Sequence, residues 1–253
     1  MRELSLVFEP PLARLRLDRP ERRNAMTLAM WRALPDICAE IERREDARVL
    51  VVDGAGGHFC SGADISEFDA VFRDAEAARE YLGAIEDGLE ALIALDRPAI
   101  AVLEGSAVGG GLALALCCDL RFCAADAHLA IPPAKLGLIY GPVETRRLVE
   151  LVGPARAKDL LFSGRRVETA EALAIGLIDR RLPQSELAGA VEGYAREVAG
   201  LSPTSVFGAK RAVEAVARDD VAELRDLAQA AALGEDFREG RAAFAEKRKP
   251  RFG

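Results

Sequence analysis

Three consecutive glycines interrupt the stretch EGSAVGGGLALALCCD, which runs from Glu104 to Asp119. Glycine loses more backbone freedom on folding than any other residue, so such a run is costly unless something requires it. A tight strand-to-helix packing turn is one such requirement. A ligand is the other. Gly109, Gly110 and Gly111 stand ahead of Leu112–Leu116, a wholly apolar segment of the kind that forms a buried helix. The N-terminus of a helix leaves N–H groups unpaired and carries a partial positive charge. Glycine there lets a ligand oxygen approach without meeting a Cβ, which is the chemistry of an anion or oxyanion site. Known glycine-rich signatures do not fit. No Lys-Ser/Thr pair follows, the spacing is not G-x-G-x-x-G, and Ser106 follows Gly105 directly, unlike the serine of G-x-S-x-G. A second segment, GAGGHFCSGADISEF, follows an apolar run ending at Val52 and places Gly62 and Ala63 on another strand-exit loop. Two backbone donors from two such loops make an oxyanion hole.

The elements that must position these loops follow from periodicity. LSLVFE and LARLRLDRP alternate like an antiparallel hairpin turning at Pro10–Pro11. NAMTLAMWRALPDICAEIERRED and AEAAREYLGAIEDGLEALIAL carry apolar residues at helical spacing. RVLVVDGAGG and PAIAVLEG hold short continuous apolar runs, the pattern of buried strands. GLALALCC reads as a helix and LRFCAAD as a strand. This alternation predicts an α/β core of βαβ units. Beyond about residue 145 the chain turns mostly helical. The last helical stretch is expected to run into Lys247, Arg248 and Lys249 and to stop at Pro250. Asp119 is expected to cap or orient a core strand.

Bulk composition narrows the function classes. The chain has 253 residues, half of them hydrophobic, and a formal net charge of −7. It is long enough for one full core. The acidic balance disfavours a general nucleic-acid surface. Charges break every apolar run in the first twenty residues, so neither a signal peptide nor a membrane span is expected, and a cytoplasmic location is. Cys38, Cys60, Cys117, Cys118 and Cys123 form no C-x-x-C pair and read as buried free thiols. With His58 and His128 as the only histidines, no metal site is expected.

Taken in order, RRNAM, HFCSGADI, EGSAVGGGLALALCCDLRF, PAKLGLIYGP, RLVELVGPARAKDLLFSGR, AIGLIDR and EGRAAFAEKRKPRF resemble the successive motifs of the crotonase superfamily, the enoyl-CoA hydratase/isomerase family. The resemblance covers essentially the whole chain. It implies a crotonase-like spiral of ββα units over residues 1–195. It also implies a C-terminal helical region, 196–253, that packs on the core or on a neighbouring subunit in a trimer or a hexamer of two trimers. It implies an acyl-CoA thioester substrate, with no cofactor beyond the CoA the substrate brings. By motif position the enolate oxygen is held by the N–H groups of Ala63 and Gly110. Arg22, Arg23 and Ala25 fall along the CoA path, as do Ser61, Gly62, Asp64 and Ile65 of the CSGADI segment. Phe244 and Lys247 fall where relatives contact CoA, often from the neighbouring subunit. Read without the resemblance, Arg23 is a solvated charge beside a helix start, Phe244 is helix packing, and the charges of Asp64, Glu67 and Asp69 are solvated loop groups.

Where the chain departs from the pattern, the reaction comes into question. Hydratases of this family position water with two glutamates. One lies three residues beyond the oxyanion glycine, here Ala113, and the other precedes LGL, here Pro133. The single glutamate of the family's isomerases falls on Gly141. None of the three can transfer a proton. Tyr140 and Glu144 remain as candidates in the same loop. A carboxyl in an apolar pocket holds its proton more tightly and serves as base or acid. Glu144 also has a second reading, as a first-turn glutamate favoured by the helix dipole. Proline in the glutamate slot and tyrosine at 140 resemble methylmalonyl-CoA decarboxylase-type members, although those carry a histidine near SGAD where this chain reads CSGAD. A hydratase or isomerase with an unusual acid/base set, an alkylmalonyl-CoA decarboxylase, and a silent CoA-binding homologue therefore stand as readings. A peptidase using Ser106 is a more distant one.

Overall fold

The computed structural model describes residues 3–253. Strands are β1 (Leu4–Glu9), β2 (Leu12–Leu17), β3 (Val49–Gly54), β4 (Ala99–Leu103), β5 (Ser106–Val108), β6 (Leu120–Ala124), β7 (His128–Ala130), β8 (Arg166–Val167) and β9 (Arg180–Leu182). Helices are α1 (Leu28–Glu42), α2 (Phe68–Val71), α3 (Ala75–Ala94), α4 (Gly110–Leu116), α5 (Pro142–Val152), α6 (Pro154–Ser163), α7 (Thr169–Ala174), α8 (Gln184–Ala199), α9 (Pro203–Ala217), α10 (Val221–Leu233) and α11 (Glu235–Glu246). The main sheet has the order β1-β2-β3-β4-β6-β9, antiparallel only at β1–β2 and parallel from there on. A small second sheet, β5-β7-β8, stands beside it. This is the mixed α/β architecture expected of the crotonase fold.

The strand chemistry explains the layering. Every residue of β4 and the first five of β3 are buried, as they must be in central parallel strands covered on both faces. The Asp119 carboxylate accepts the N–H of Ala99 at 2.7 Å and meets Lys210 Nζ at 2.9 Å. The expected capping group therefore orients β4 and also ties α9 to the sheet edge.

Helix α1 begins at Thr27, whose hydroxyl accepts the N–H of Met30, and Glu67 accepts the N–H of Leu28 at 2.7 Å. Met30, Trp31, Leu34, Cys38 and Ile41 make its buried face. Large apolar side chains of this kind stabilise by about 1.5–3 kcal/mol each when fully buried. Pro35 lies inside α1 and has no N–H to give the carbonyl of Trp31. Helix α3 closes onto that point. A Cβ on Gly88 would lie 3.0 Å from the Trp31 carbonyl and 3.0 Å from the Leu34 side chain, so glycine lets the two helices approach closely here. The close contact of α1 with α3 seats Trp31 beneath the glycine stretch.

Three sequence expectations need correction. Gly105 does not lead straight from a strand into the glycine turn, because β5 intervenes. The last helical stretch is two helices parted at Gly234. The second ends at Glu246, and Lys247 sits in a left-handed conformation (φ 55°), so Lys247–Lys249 follow the helix rather than closing its last turn. The charges of Asp64 and Glu67 are not solvated, as their partners show. The boundary drawn at 195/196 falls within α8, which packs on the sheet through Leu187, Val191, Ala195 and Ala199. Beyond it, α9 buries only Ala215, α11 only Ala243 and α10 nothing. No helix among the described residues is long and apolar enough to cross a membrane.

Candidate active site

The two glycine-bearing loops meet. Ala63 forms a parallel bridge with Met26, in which Met26 N–H donates to Gly62 O and Asp64 N–H donates to Met26 O, both at 2.8 Å. That pattern consumes the groups on either side of Ala63 and leaves its own N–H without an acceptor among the described residues. Gly110 opens α4, so its N–H lacks a helical partner, and no side chain caps the helix. A Cβ built on Gly110 would lie 3.8 Å from the Ala63 nitrogen, so the two residues are close neighbours. The ring of Trp31 lies 3.3 Å from the same point.

The three glycines have separate reasons. Gly109 adopts φ 52°, ψ −120°, a conformation that a side chain disfavours, and so bends the chain from β5 into α4. Gly111 packs on Cys60 so closely that a Cβ would lie 2.5 Å from its carbonyl oxygen and 2.7 Å from its sulfur. Gly110 is held by neither constraint and opens α4 with a free N–H. Cys60 is the hinge of the assembly. Its N–H donates to Ser106 O, its carbonyl accepts from Val108, and its sulfur accepts the N–H of Gly62 at 3.5 Å. Burial pushes its thiol up to about 12, so it stays protonated and unreactive. All five cysteines are free and buried.

The RRNA segment packs against the first oxyanion loop. Ser61 N–H donates to Arg23 O at 2.9 Å, and its hydroxyl donates to Arg22 O at 3.1 Å. Asn24, fully buried, accepts from Arg19 N–H and donates to the carbonyls of Ala55 and His58. Arg19 donates to Ala25 O and pairs with Asp64 at 2.8 Å. Burial alone would push the Asp64 carboxyl up, but the hydrogen bonds from Ser66 and Arg19 hold it below the usual carboxylate range. Asp64 is thus a buried tie within the loop. Arg22 and Arg23 project into solvent without an ion pair among the described residues, while Ala25 is buried and Ile65 is exposed. Asn24 and Arg19 were missed in the sequence because their partners lie up to 45 positions away. In the single chain Phe244 and Lys247 are not brought to this patch. Phe244 is 88% exposed on α11, and Lys247 is exposed beyond it.

The segment leading into α5 meets the glycine turn through Tyr140. Ala113 is fully buried on α4 and Pro133 half-buried. The Tyr140 hydroxyl turns inward and donates to Gly109 O at 3.2 Å. Burial, with Glu144 adding to it, makes the Tyr140 phenol far less acidic than a free one, so Tyr140 remains a proton-bearing hydroxyl. Glu144 is 6% exposed, and its Oε2 finds no hydrogen-bond partner. Burial pushes this carboxyl up, the negative charge of Glu86 adds to that, and the backbone N–H groups of Glu144 and Gly141 oppose it. A Cβ on Gly141 would fall 2.3 Å from Glu144 Oε2. The carboxyl therefore fills the volume that a side chain at 141 would need.

The histidines serve the scaffold. His58 Nδ1 accepts the backbone N–H of Ser106 at 3.1 Å, and His128 pairs with Ser106 along β7–β5. His58 thus meets the Ser106 peptide group, which is no nucleophile–base arrangement. No cluster of three or more metal-ligating side chains occurs among the described residues.

Comparison with known proteins gives the family and the fold. A model of the enoyl-CoA hydratase/isomerase family matches residues 8–253. The chain is 36% identical to Bacillus subtilis YngF, which bears the name enoyl-CoA hydratase/isomerase, over 94% of this chain and 93% of the relative. It is 29% identical to the peroxisomal Δ(3,5)-Δ(2,4)-dienoyl-CoA isomerase of Arabidopsis thaliana, over 93% and 90%. A crystal structure of an enoyl-CoA hydratase/isomerase family protein from Hyphomonas neptunium superimposes with a TM-score of 0.97 at 38% identity, covering 100% of this chain and 98% of that one.

Proposed function

Because the chain belongs to the enoyl-CoA hydratase/isomerase family, we propose that it moves the double bond of an enoyl-CoA thioester through an enolate, with Glu144 as the single proton carrier. The observation that carries this reading is the position of the Glu144 carboxyl. It is buried, has a free oxygen, and occupies the space left by Gly141. In a 3-enoyl thioester, Glu144 takes a proton from C2. The electrons pass into the thioester carbonyl, whose oxygen is held by Ala63 N–H and Gly110 N–H. The same proton is then returned at C4, leaving a 2-enoyl thioester. The oxyanion donors act selectively because the oxygen gains charge only on the way to the enolate. Hydration by two glutamates is unsupported, since Ala113 and Pro133 cannot handle a proton.

Arg22 and Arg23 are suited to CoA phosphates as free, exposed guanidinium groups beside the donors, with Ala25, Ser61, Gly62 and Ile65 along the pantetheine path. Asp64 supports that path from beneath. Val213, Val216, Leu233, Phe237 and Phe244 leave an apolar surface on α9–α11 that supports assembly into trimers or pairs of trimers, bringing Phe244 and Lys247 to a neighbour's CoA. Light scattering should then give a mass three or six times that of the chain. Phe244→Ala should raise KM more than it lowers kcat, and a monomer that turns over normally would overturn the assembly.

A second reading is favoured by one observation. The protonated Tyr140 hydroxyl points to the oxyanion glycines, which suits an alkylmalonyl-CoA decarboxylase that needs no base and only a proton for its enolate. The deciding experiment offers the protein 3-enoyl-, 2-enoyl-, 3-hydroxyacyl- and alkylmalonyl-CoA and reads products by mass spectrometry. Interconversion of 3-enoyl and 2-enoyl thioesters is expected. Loss of CO2 would establish the decarboxylase, and tight CoA binding with no turnover on any substrate would establish a silent homologue.

A further inference from the structure

Helix α4 carries the Gly110 N–H at one end and Leu116 at the other, about 9 Å along its axis. Helix α5 carries Glu144 in its first turn. The two helices are in contact, and apart from Glu144 the residues that each of them buries are small or apolar. Apolar burial is non-directional and does not by itself fix how one helix sits along another. Arg147, one turn beyond Glu144, supplies the direction. Its Nε donates to the carbonyl of Leu116 at 3.3 Å, in the last turn of α4, where carbonyls lack a helical donor. Its Nη1 donates to Glu150 at 2.8 Å and stands 3.7 Å from the carboxylate of Glu214 on α9. The Arg147 side chain is only 14% exposed, so α4, α5 and α9 converge on one largely buried guanidinium.

We propose that Arg147 is a positioning residue: by clasping the carbonyl end of α4 while held by Glu150 and Glu214, it sets α5 on α4 and so fixes where the Glu144 carboxyl stands relative to the Gly110 end of α4. The planar fork of arginine holds several acceptors at set angles, which the point charge of an ammonium does not. Its neighbour Arg146 is built differently. Arg146 pairs with Glu90 of α3 at the surface, where both side chains are half exposed, and such pairs contribute little. At the other end of α5 the Thr145 hydroxyl donates to Tyr140 O at 3.2 Å, which ties the helix to its own preceding loop but not to α4. Arg147 is therefore the polar link between the helix that opens with Gly110 and the helix that carries Glu144. A misplacement of about 1 Å between reacting groups costs about 10²-fold in rate, so a link of this kind bears directly on turnover.

The inference rests on Glu144 as proton carrier and Gly110 as enolate donor, and its test separates their failure from its own. With 3-enoyl-CoA, Arg147→Met should lower kcat by up to about 10²-fold and leave KM nearly unchanged. Combined with Glu144→Gln, the same substitution should cost far less, because the group it positions is already gone. Arg147→Lys keeps the charge and loses the fork. It should fall between, and it serves the same cycle if the methionine variant does not fold. Arg146→Met, one position away, should change nothing. A second readout needs no substrate. The infrared carbonyl band of the protonated carboxyl that vanishes in Glu144→Gln belongs to Glu144. One oxygen of that carboxyl has no partner, and a carboxyl that gains water absorbs at lower frequency. The band should therefore move down in the Arg147 variants and stay in place in Arg146→Met. Equal fold losses with and without Glu144, or an unmoved band in folded Arg147 variants, would overturn the proposal. A band that moves in a protein that isomerises no enoyl-CoA would uphold the clasp and sink the isomerase reading instead.

Discussion

The two walls of the site are built on opposite plans. The proposed oxyanion wall is backbone held by backbone. Gly62, Ala63 and Gly110 are fixed by the Met26 bridge, by Cys60 and by the left-handed turn at Gly109, with Gly62, Met26 and Cys60 buried and Ala63, Gly109 and Gly110 half-buried. The proton-transfer wall is side chain on an open segment. Ala134 to Ile139 are all exposed, and Tyr140, Val143 and Glu144 turn inward from their end. The first wall needs several contacts to be right at once, so it tolerates little change. The second can exchange its chemistry one side chain at a time. On the proposed reading, a chain can therefore keep an enolate-binding hole while carrying Ala113, Pro133 and Gly141 at positions where the family motif implies acid groups.

Removing the proton carrier should have the largest effect. Glu144→Gln keeps the shape of the side chain and should lower isomerisation by about 10²–10⁴-fold, the ordinary contribution of a positioned acid or base. It should leave CoA affinity, read by calorimetry, unchanged. The same variant carries a signature in stability. The Glu144 carboxyl is raised in the folded protein. Its contribution to stability is therefore complete below the ordinary carboxylate range and is lost as pH rises through its folded value. Thermal melts should show Glu144→Gln gaining on the unmodified protein as pH is raised from about 4 towards neutrality. A gain that appears only on acidification would mean the carboxyl is stabilised as an anion, and the contrast between the walls would then fail.

On the opposite wall, Gly110→Pro removes one donor N–H, and the first position of a helix accepts proline. The loss of one oxyanion donor costs about 2.7–4 kcal/mol of barrier, or 10²–10³ in kcat. Gly110→Ala is the control. It introduces the same Cβ, 3.3 Å from the Trp31 ring, but keeps the N–H. The alanine variant should retain most of the activity that the proline variant loses. Equal losses would assign the effect to crowding against Trp31 and would remove Gly110 from the oxyanion hole.

The same contrast governed what could be read from the sequence. Glycines, buried strands and the α1, α3 and α4 helices were legible because composition and periodicity act locally. The missing acid groups at 113 and 133 were legible because absence from a motif needs no geometry. The β5-β7-β8 sheet was not, since strands of two or three residues are too short to show a period. Nor were the contacts that hold the loops. Asn24 reaches His58, Arg19 reaches Asp64, and Glu67 caps a helix that begins 39 positions earlier. Gly141 looked like a lost catalytic side chain in the sequence. In space it is the vacancy that admits the Glu144 carboxyl.

Tyr140 joins the two walls, and its removal should have the smallest effect. Its hydroxyl donates to Gly109 O, which already accepts the N–H of Ala113 at 2.9 Å. Tyr140→Phe therefore deletes a second donor to a carbonyl that keeps its first. An ordinary hydrogen bond of this kind is worth about 0.5–1.5 kcal/mol. If all of it were felt in the barrier, isomerisation would fall by no more than about tenfold. The loss should appear with 3-enoyl-CoA and be accompanied by a small drop in melting temperature. A loss exceeding that of Glu144→Gln would place the decisive side chain at 140. With alkylmalonyl-CoA as the responding substrate, that result would make Tyr140 the proton donor to the enolate left by CO2 loss, with Glu144 secondary.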